Sequence, residues 1–101
     1  RSFMYIDDLL EGMIGMIATD DEVTGPVNLG NPEELSVSML AKIIKEKTNS
    51  VSTIRFMDLP YDDPKVRCPD MILAGYLLQK WKPQVKICEG LCKTIAFFRA
   101  I

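Results

Sequence analysis

The sequence contains no histidine among its 101 residues and only three cysteines. Without histidine the chain cannot assemble a Ser-His-Asp triad or a Cys-His pair, which excludes nucleophilic catalysis of those types. A structural zinc site takes about four ligands, usually cysteine or histidine, so this composition argues against one. The cysteines show no C-x-x-C spacing, and we expect reduced thiols that behave as small apolar side chains: Cys68, Cys88 and Cys92. The sequence therefore predicts no metal site.

Long apolar runs and clusters of one charge are also missing. No stretch reaches the ~18 apolar residues of a membrane-spanning helix, and there is no signal-peptide pattern. The 12 basic and 14 acidic residues give a net charge of −2 and are mixed along the chain, so nucleic-acid binding has little support. The first residue is Arg1 rather than methionine, from which we expect a processed product or an excised part of a longer chain.

The patterning that is present is that of one small domain, residues 1–101. Apolar residues make up 48% of the chain and charged residues 26%, which is ordinary for a globular domain. Helical spacing of apolar residues predicts helices over 7–19, 37–48, 70–80 and 86–100. Alternating and β-branched residues predict two or three short strands at 1–6, 27–29 and 53–57. The expected fold class is α+β, and strands this short normally lean on a larger structure.

Several side chains are expected to set the local structure of the first two helices. Asp7 and Asp8 suit the N-terminus of the first helix, as cap and dipole partners. Gly12 and Gly15 lower its helix propensity, which predicts close packing against a sheet. Ser36 is well placed to cap the second helix, because its hydroxyl can accept a hydrogen bond from a free N–H of the first turn.

The loop Tyr61–Asp70 has the most distinctive chemistry in the chain. Two prolines bracket Arg67, and each keeps its preceding residue out of the helical region, so the loop is stiff and extended. A guanidinium on such a loop suits a planar anion, a carboxylate or a phosphate. The alternative is a surface ion pair of Arg67 with Asp62 or Asp63. Pro69 is expected at the first position of the third helix, with Asp70 in its first turn.

Three strings stand out along the chain: Arg1-Ser2-Phe3-Met4-Tyr5-Ile6-Asp7-Asp8, Asn28-Leu29-Gly30-Asn31-Pro32 and Asp62-Asp63-Pro64-Lys65-Val66-Arg67-Cys68-Pro69-Asp70. They resemble the extended short-chain dehydrogenase/reductase family, and within it the UDP-glucuronic acid decarboxylases. Without the resemblance, Asn28 and Asn31 of the second string would be interpreted only as residues that favour a turn. The end of the chain resembles the family's Glu-Gly-Leu-x-x-Thr-Ile, whereas the family's Leu-Gly-Trp-x-Pro is replaced by Gln79-Lys80-Trp81-Lys82-Pro83, which puts that turn's geometry in question. The three strings occur in the same order as in the family.

The resemblance implies that the chain is the C-terminal, substrate-binding part of an enzyme whose N-terminal Rossmann domain, absent here, carries NAD. The family's Gly-rich cofactor turn is not found in the 101 residues. Tyr61 and Lys65 have the spacing of its catalytic Tyr-x-x-x-Lys pair, but Pro64 lies between them and prevents one uninterrupted helix. The resemblance further implies a homodimeric parent that converts UDP-glucuronate to UDP-xylose through NAD-dependent oxidation, loss of CO2 and reduction. It leaves the Golgi lumen and the cytoplasm both open.

For the site, the resemblance implies that Arg67 contacts the diphosphate or the sugar carboxylate region, and that Tyr61 lines the same pocket. Arg1 would contact the nucleotide from the opposite side. No catalytic, cofactor-binding or metal-ligating residue is expected in this chain. Two alternatives stay open at this point. One is the same domain from a related nucleotide-sugar dehydratase or epimerase, and the other is a non-enzymatic interaction or regulatory fragment.

Overall fold

The part of the chain that the structure describes contains four helices joined by turns and extended segments. The structure is a computed structural model that describes residues 1–64, 66–79 and 81–101. Helix α2 packs against α4. Within these ranges, no helix is both long enough and apolar enough to cross a bilayer. In chain order the helices are α1 (Ile6–Ile17), α2 (Val37–Lys47), α3 (Ile72–Leu77) and α4 (Ile87–Ala100).

Three of the four helices lie where the apolar periodicity predicts them. The predictions over 7–19, 37–48 and 86–100 are confirmed, with ends that differ from α1, α2 and α4 by one or two residues. Ser36 caps α2 as predicted, because its hydroxyl accepts a hydrogen bond from the N–H of Met39 at 3.0 Å. Local periodicity and capping chemistry are therefore sufficient to place these elements.

The third helix is shorter than predicted. It begins at Ile72, where the Asp70 carboxylate accepts a hydrogen bond from the Ile72 N–H at 3.0 Å. The expectation that Pro69 occupies the first helical position, with Asp70 in the first turn, is wrong. The side chain of Asp70 offers this N–H an acceptor outside the helix, and both residues precede α3.

The predicted strands are not seen in residues 1–64, 66–79 and 81–101, so the β part of the α+β expectation is wrong. One isolated antiparallel bridge joins Ser2 to Glu34. Beside it, the N–H of Leu35 donates to the carbonyl of Arg1 at 2.7 Å. A strand exists only through a neighbouring strand that satisfies its backbone groups. Residues 27–29 and 53–57 form no ladder within the described chain.

The start of α1 differs from expectation in one important way. Asp7 and Asp8 do lie in its first turn, but the cap position is Tyr5, which makes no side-chain capping bond. Asp8 is instead buried, with 3% of its surface exposed. Its carboxylate accepts hydrogen bonds from the backbone N–H groups of Gln84 at 3.0 Å and Val85 at 2.9 Å. The aspartate therefore ties α1 to the segment that precedes α4.

The two glycines of α1 pack closely, as expected, although their neighbour is not a sheet. A Cβ atom at Gly12 would lie 3.0 Å from two ring atoms of Trp81, and one at Gly15 would lie 3.2 Å from Leu78. Both neighbours belong to the connection between α3 and α4. Lys80, which stands where the resembling family has glycine, and Lys65 of the Tyr61–Lys65 pair lie outside the described residues.

The chain is more open than a self-contained domain of its size. Its radius of gyration is 16.4 Å, whereas a compact domain of this length has about 13 Å. Its accessible surface is 8220 Å², against about 5,800 Å² for a typical monomer of this mass. Among the described residues, Ala74 is the one apolar side chain that is buried. The described chain therefore lacks a full hydrophobic core of its own.

Candidate functional site

A cleft of about 670 Å³ brings together parts of all three sequence strings that carry the family resemblance. Its walls come from the first four residues, the turn at 28–31 and the end of the proline-bracketed loop. Such a volume lies within the range of ligand pockets. The lining residues are Arg1, Ser2, Phe3, Met4, Asn28, Leu29, Gly30, Asn31, Arg67, Cys68 and Pro69.

Two of the three predicted site residues line this cleft from different walls. Arg67 is exposed and comes from the proline-bracketed loop, whereas Arg1 is the first residue of the sequence. Each guanidinium carries five N–H donors in a planar arrangement that matches phosphate or carboxylate oxygens. The cleft therefore has the charge and the donors to hold an anion. Tyr61 is fully exposed and is not among the residues that line the cleft.

The side chain of Arg1 is held by the loop that carries Arg67. Its Nη2 forms an ion pair with the Asp63 carboxylate and donates to the carbonyl of Pro64 at 3.3 Å. The backbone nitrogen of Arg1 also donates to the carbonyl of Leu35 at 3.2 Å. Asp63, which we considered as an ion-pair partner of Arg67, thus pairs with Arg1. Arg1 is fixed through both its backbone and its side chain.

Gly30 allows the two walls of the cleft to approach each other. A Cβ atom at this position would lie 2.8 Å from Cγ of Pro69, a distance that real contacts essentially never show. The turn that contains Gly30 is further held by Asn31, whose amide donates to the carbonyl of Phe3 at 3.1 Å. The Asn31 oxygen accepts from the N–H of Glu33 at 3.0 Å. Asn31 thus performs the expected turn chemistry and also anchors the first wall.

Sequence reasoning did not assign four other polar side chains to the cleft: Ser2, Asn28, Asn31 and Cys68. The signal that could have found them is that each lies in one of the three strings that resemble the family. Loss of hydration raises the pKa of the Cys68 thiol, and the Glu34 carboxylate raises it further by a hydrogen bond and by charge repulsion. The Sγ atom of Cys68 also lies 3.4 Å from the carbonyl oxygen of Pro32. Near neutral pH it therefore stays uncharged and does not oppose an anion.

A second cavity, of about 480 Å³, lies between the N-terminal segment, α2 and α4. Its character is apolar, with Leu40, Leu91 and Phe97 among its lining residues. At its rim the Lys93 ammonium lies 5.4 Å from the centre of the Tyr5 ring and 3.4 Å from the Glu89 carboxylate. This cavity offers apolar contact area and no anion-binding arginine, so it is chemically unlike the first cleft.

Comparison with known proteins places the chain beside nucleotide-sugar enzymes. No family model matches it. It is 42% identical to UDP-glucuronic acid decarboxylase 1 of Xenopus tropicalis, over 98% of this chain and 23% of that protein. It is 39% identical to UDP-glucuronic acid decarboxylase 1 of Arabidopsis thaliana, over 98% of this chain and 22% of that protein. The chain thus spans about a quarter of the length of these relatives.

This chain is also similar to part of a solved protein structure. An epimerase from Methanothermobacter thermautotrophicus matches with a TM-score of 0.90 and 28% identity, over 99% of this chain and 30% of that one. The sequence matches confirm the resemblance that the three strings indicate. The structural match adds that the open helical arrangement occurs as a part of a larger solved protein.

Proposed function

The chain is homologous to a segment of the UDP-glucuronic acid decarboxylases, and we propose that it is the part of such an enzyme that binds the nucleotide-sugar. In this proposal the diphosphate of the UDP-sugar lies in the cleft between Arg1 and Arg67. Tyr61 lies outside the cleft in the structure and would close over the sugar when the ligand binds. The chain contributes binding and orientation, and no catalytic residue.

The observation that carries the proposal is the presence in one cleft of two arginines that lie far apart in the sequence. Two guanidiniums offset the roughly two negative charges of a diphosphate, and each charge-assisted hydrogen bond contributes about 1.5–3 kcal/mol. Arg1 is restrained by Asp63 and Pro64, so less side-chain freedom is lost when an anion binds. A restrained Arg1 beside a second guanidinium favours an anionic ligand over a neutral sugar.

We propose that NAD and the redox steps belong to a Rossmann domain in the remaining part of the parent polypeptide. The large accessible surface and the exposed apolar side chains support such a partner, because soluble proteins seldom leave so much apolar surface open. Helix α1 contributes several of these side chains, including Leu10, Ile14 and Ile17. The unpaired extended segment 27–29 supports it too, since a strand needs a neighbour. A homodimeric parent remains part of this proposal.

Two other functions have specific support. The same cleft could serve a nucleotide-sugar epimerase, because the solved structural match is an epimerase; a dehydratase of the same family would use the cleft in the same way. A non-enzymatic interaction fragment is favoured by the apolar cavity between α2 and α4, which suits a protein partner. Among the candidate functions, the decarboxylase is favoured because the sequence relatives are UDP-glucuronic acid decarboxylases.

The test is an amide NMR titration of the chain with UDP, and with uridine as a neutral control. We expect UDP to shift resonances around Arg1 and Arg67, and uridine to shift them far less. Arg67→Ala should weaken UDP binding at least about tenfold, the effect of losing one charge-assisted contact. Arg55→Ala is the matched control, because Arg55 is exposed and does not line the cleft.

Each result separates the candidate functions. Equal UDP affinity for the Arg67→Ala and Arg55→Ala variants would contradict the assignment of Arg67. Dispersed resonances that ignore UDP altogether would contradict the proposal for this chain and favour the interaction fragment. UDP-glucuronate that binds more tightly than UDP-glucose would favour the decarboxylase over the epimerase, because only the former sugar carries a carboxylate.

A further inference from the structure

We propose that Asp63 is a positioning residue of the nucleotide-sugar site, which holds the guanidinium of Arg1 against the cleft. This inference rests on the proposed function, because it assumes that Arg1 and Arg67 meet the same anion. By charge alone, the Asp63 carboxylate would repel an anion bound in the cleft and weaken its binding. A positioning role explains why an acidic residue lies there. The role is to fix the Arg1 guanidinium relative to the loop that carries Arg67.

The contacts of Arg1 run from its wall of the cleft to the loop that forms the other wall. Its Nη2 pairs with the Asp63 carboxylate and donates to the carbonyl of Pro64 at 3.3 Å. Both contacts use Nη2, whose two N–H groups can serve one partner each. The guanidinium has three further N–H donors, on Nε and Nη1. These contacts anchor the guanidinium through Nη2 and leave the donors on Nε and Nη1 for an anion.

Asp63 is itself well fixed, which a positioning residue must be. Its backbone N–H donates to the carbonyl of Pro60 at 3.1 Å and closes a turn. The following Pro64 restricts the backbone of Asp63 to extended conformations. Both partners of the ion pair are partly shielded, with 29% of the Arg1 side chain and 34% of the Asp63 side chain exposed. A shielded pair on a stiff turn loses less to solvent screening than an exposed one.

The pair also explains why the loop at 61–70 and the first residues form one site. The backbone carbonyl of Arg1 accepts from the N–H of Leu35, and the Arg1 side chain reaches Asp63. Arg67 follows Asp63 in the same loop, so anchoring Arg1 on Asp63 ties the Arg1 guanidinium to the loop that carries Arg67. Without that anchor, the Arg1 side chain would sample several rotamers and would pay an entropy cost on binding.

The decisive experiment compares Asp63→Asn with Asp62→Asn in the UDP titration described above. Both substitutions remove one negative charge from the same loop, and simple electrostatics predicts tighter UDP binding for both. Positioning predicts the opposite for Asp63→Asn, a loss of about tenfold in affinity, with Asp62→Asn unchanged or slightly tighter. Asp63→Glu should recover part of the loss, because it restores an acceptor that can pair with Arg1.

A second readout reports on Arg1 without any ligand. The side-chain Nε–H resonance of Arg1 should shift and broaden in Asp63→Asn and stay in place in Asp62→Asn. Unchanged fluorescence of Trp81, the one tryptophan of the chain, would show that the fold is intact in both variants. Asp63→Asn that binds UDP as tightly as Asp62→Asn would overturn the inference.

The outcomes also distinguish this inference from the proposed function. UDP binding that depends on Arg67 and ignores Asp63 would leave the function in place and remove the role of Asp63. Failure of the unmodified chain to bind UDP while its amide resonances are dispersed would overturn both. Binding that falls in Asp63→Asn, recovers in Asp63→Glu and is retained in Asp62→Asn would support both.

Discussion

The buried carboxylate of Asp8 accepts a hydrogen bond from the backbone N–H of Val85 at 2.9 Å. The two residues are separated by 77 positions in the chain. The other carboxylate oxygen accepts from the N–H of Gln84, and the backbone carbonyl of Asp8 accepts from the indole N–H of Trp81 at 3.0 Å. One residue at the start of α1 thus holds three groups of the segment between α3 and α4.

Removing this carboxylate should destabilise the fold. In Asp8→Ala, two backbone N–H groups lose a charged acceptor, so we expect the free energy of unfolding to fall by about 3 kcal/mol. Asp8→Asn should lose less, because its amide oxygen can still accept one of the two bonds. Urea unfolding followed by Trp81 fluorescence measures both. Asp7→Ala is the control: Asp7 is exposed in the same helical turn and should cost less than about 1 kcal/mol.

Gly12 is required because the Trp81 ring lies against it. An alanine would gain about 1 kcal/mol of helix propensity, but its Cβ would lie 3.0 Å from two ring atoms, and overpacking costs about 1–3 kcal/mol. We expect Gly12→Ala to be destabilising by about 1 kcal/mol and to change the Trp81 emission. The same substitution at Gly75 meets no atom within 4 Å and should stabilise α3. If both substitutions stabilise the chain, the close contact between Gly12 and the Trp81 ring is contradicted.

The thiol of Cys68 should react slowly. Its pKa is raised, first by loss of hydration and then by Glu34, so at a given pH less thiolate is present than for an ordinary cysteine. With Cys88 and Cys92 changed to serine, the pH profile of iodoacetamide alkylation should have its midpoint above that of a small-peptide thiol. Glu34→Gln should lower the midpoint and raise the rate at fixed pH, because the nearby negative charge is removed. An unchanged midpoint would show that Glu34 has no part in the shift.

The elements of this protein that depend on short-range interactions are the ones that the sequence predicts. Helices α1, α2 and α4 could be predicted because their hydrogen bonds join residues four apart, and because their apolar faces repeat at a period that is visible in the sequence. The cap at Ser36 was visible for the same reason. Arg1 and Arg67 were chosen from strings that resemble a family, and both line the cleft, but their contact with a ligand stays a prediction.

The strand predictions failed for a related reason. Residues 27–29 and 53–57 have strand-like side chains, but β structure depends on a second strand at a distant position. In the described chain that neighbour is not present, so the segments stay extended without a ladder. The predicted range of the third helix begins too early, because the Asp70 carboxylate accepts a hydrogen bond from the Ile72 N–H and α3 starts only at Ile72.

By itself, the sequence determined the positions of the main helices and the resemblance to a nucleotide-sugar enzyme segment. Only the tertiary structure decided that Asp63 pairs with Arg1, that Asp8 binds the segment before α4, and that Trp81 packs on Gly12. The helices follow from short-range hydrogen bonds and side-chain periodicity, which a sequence displays directly. The three pairings join residues far apart in the chain, and local patterns do not specify which of several aspartates or arginines will meet.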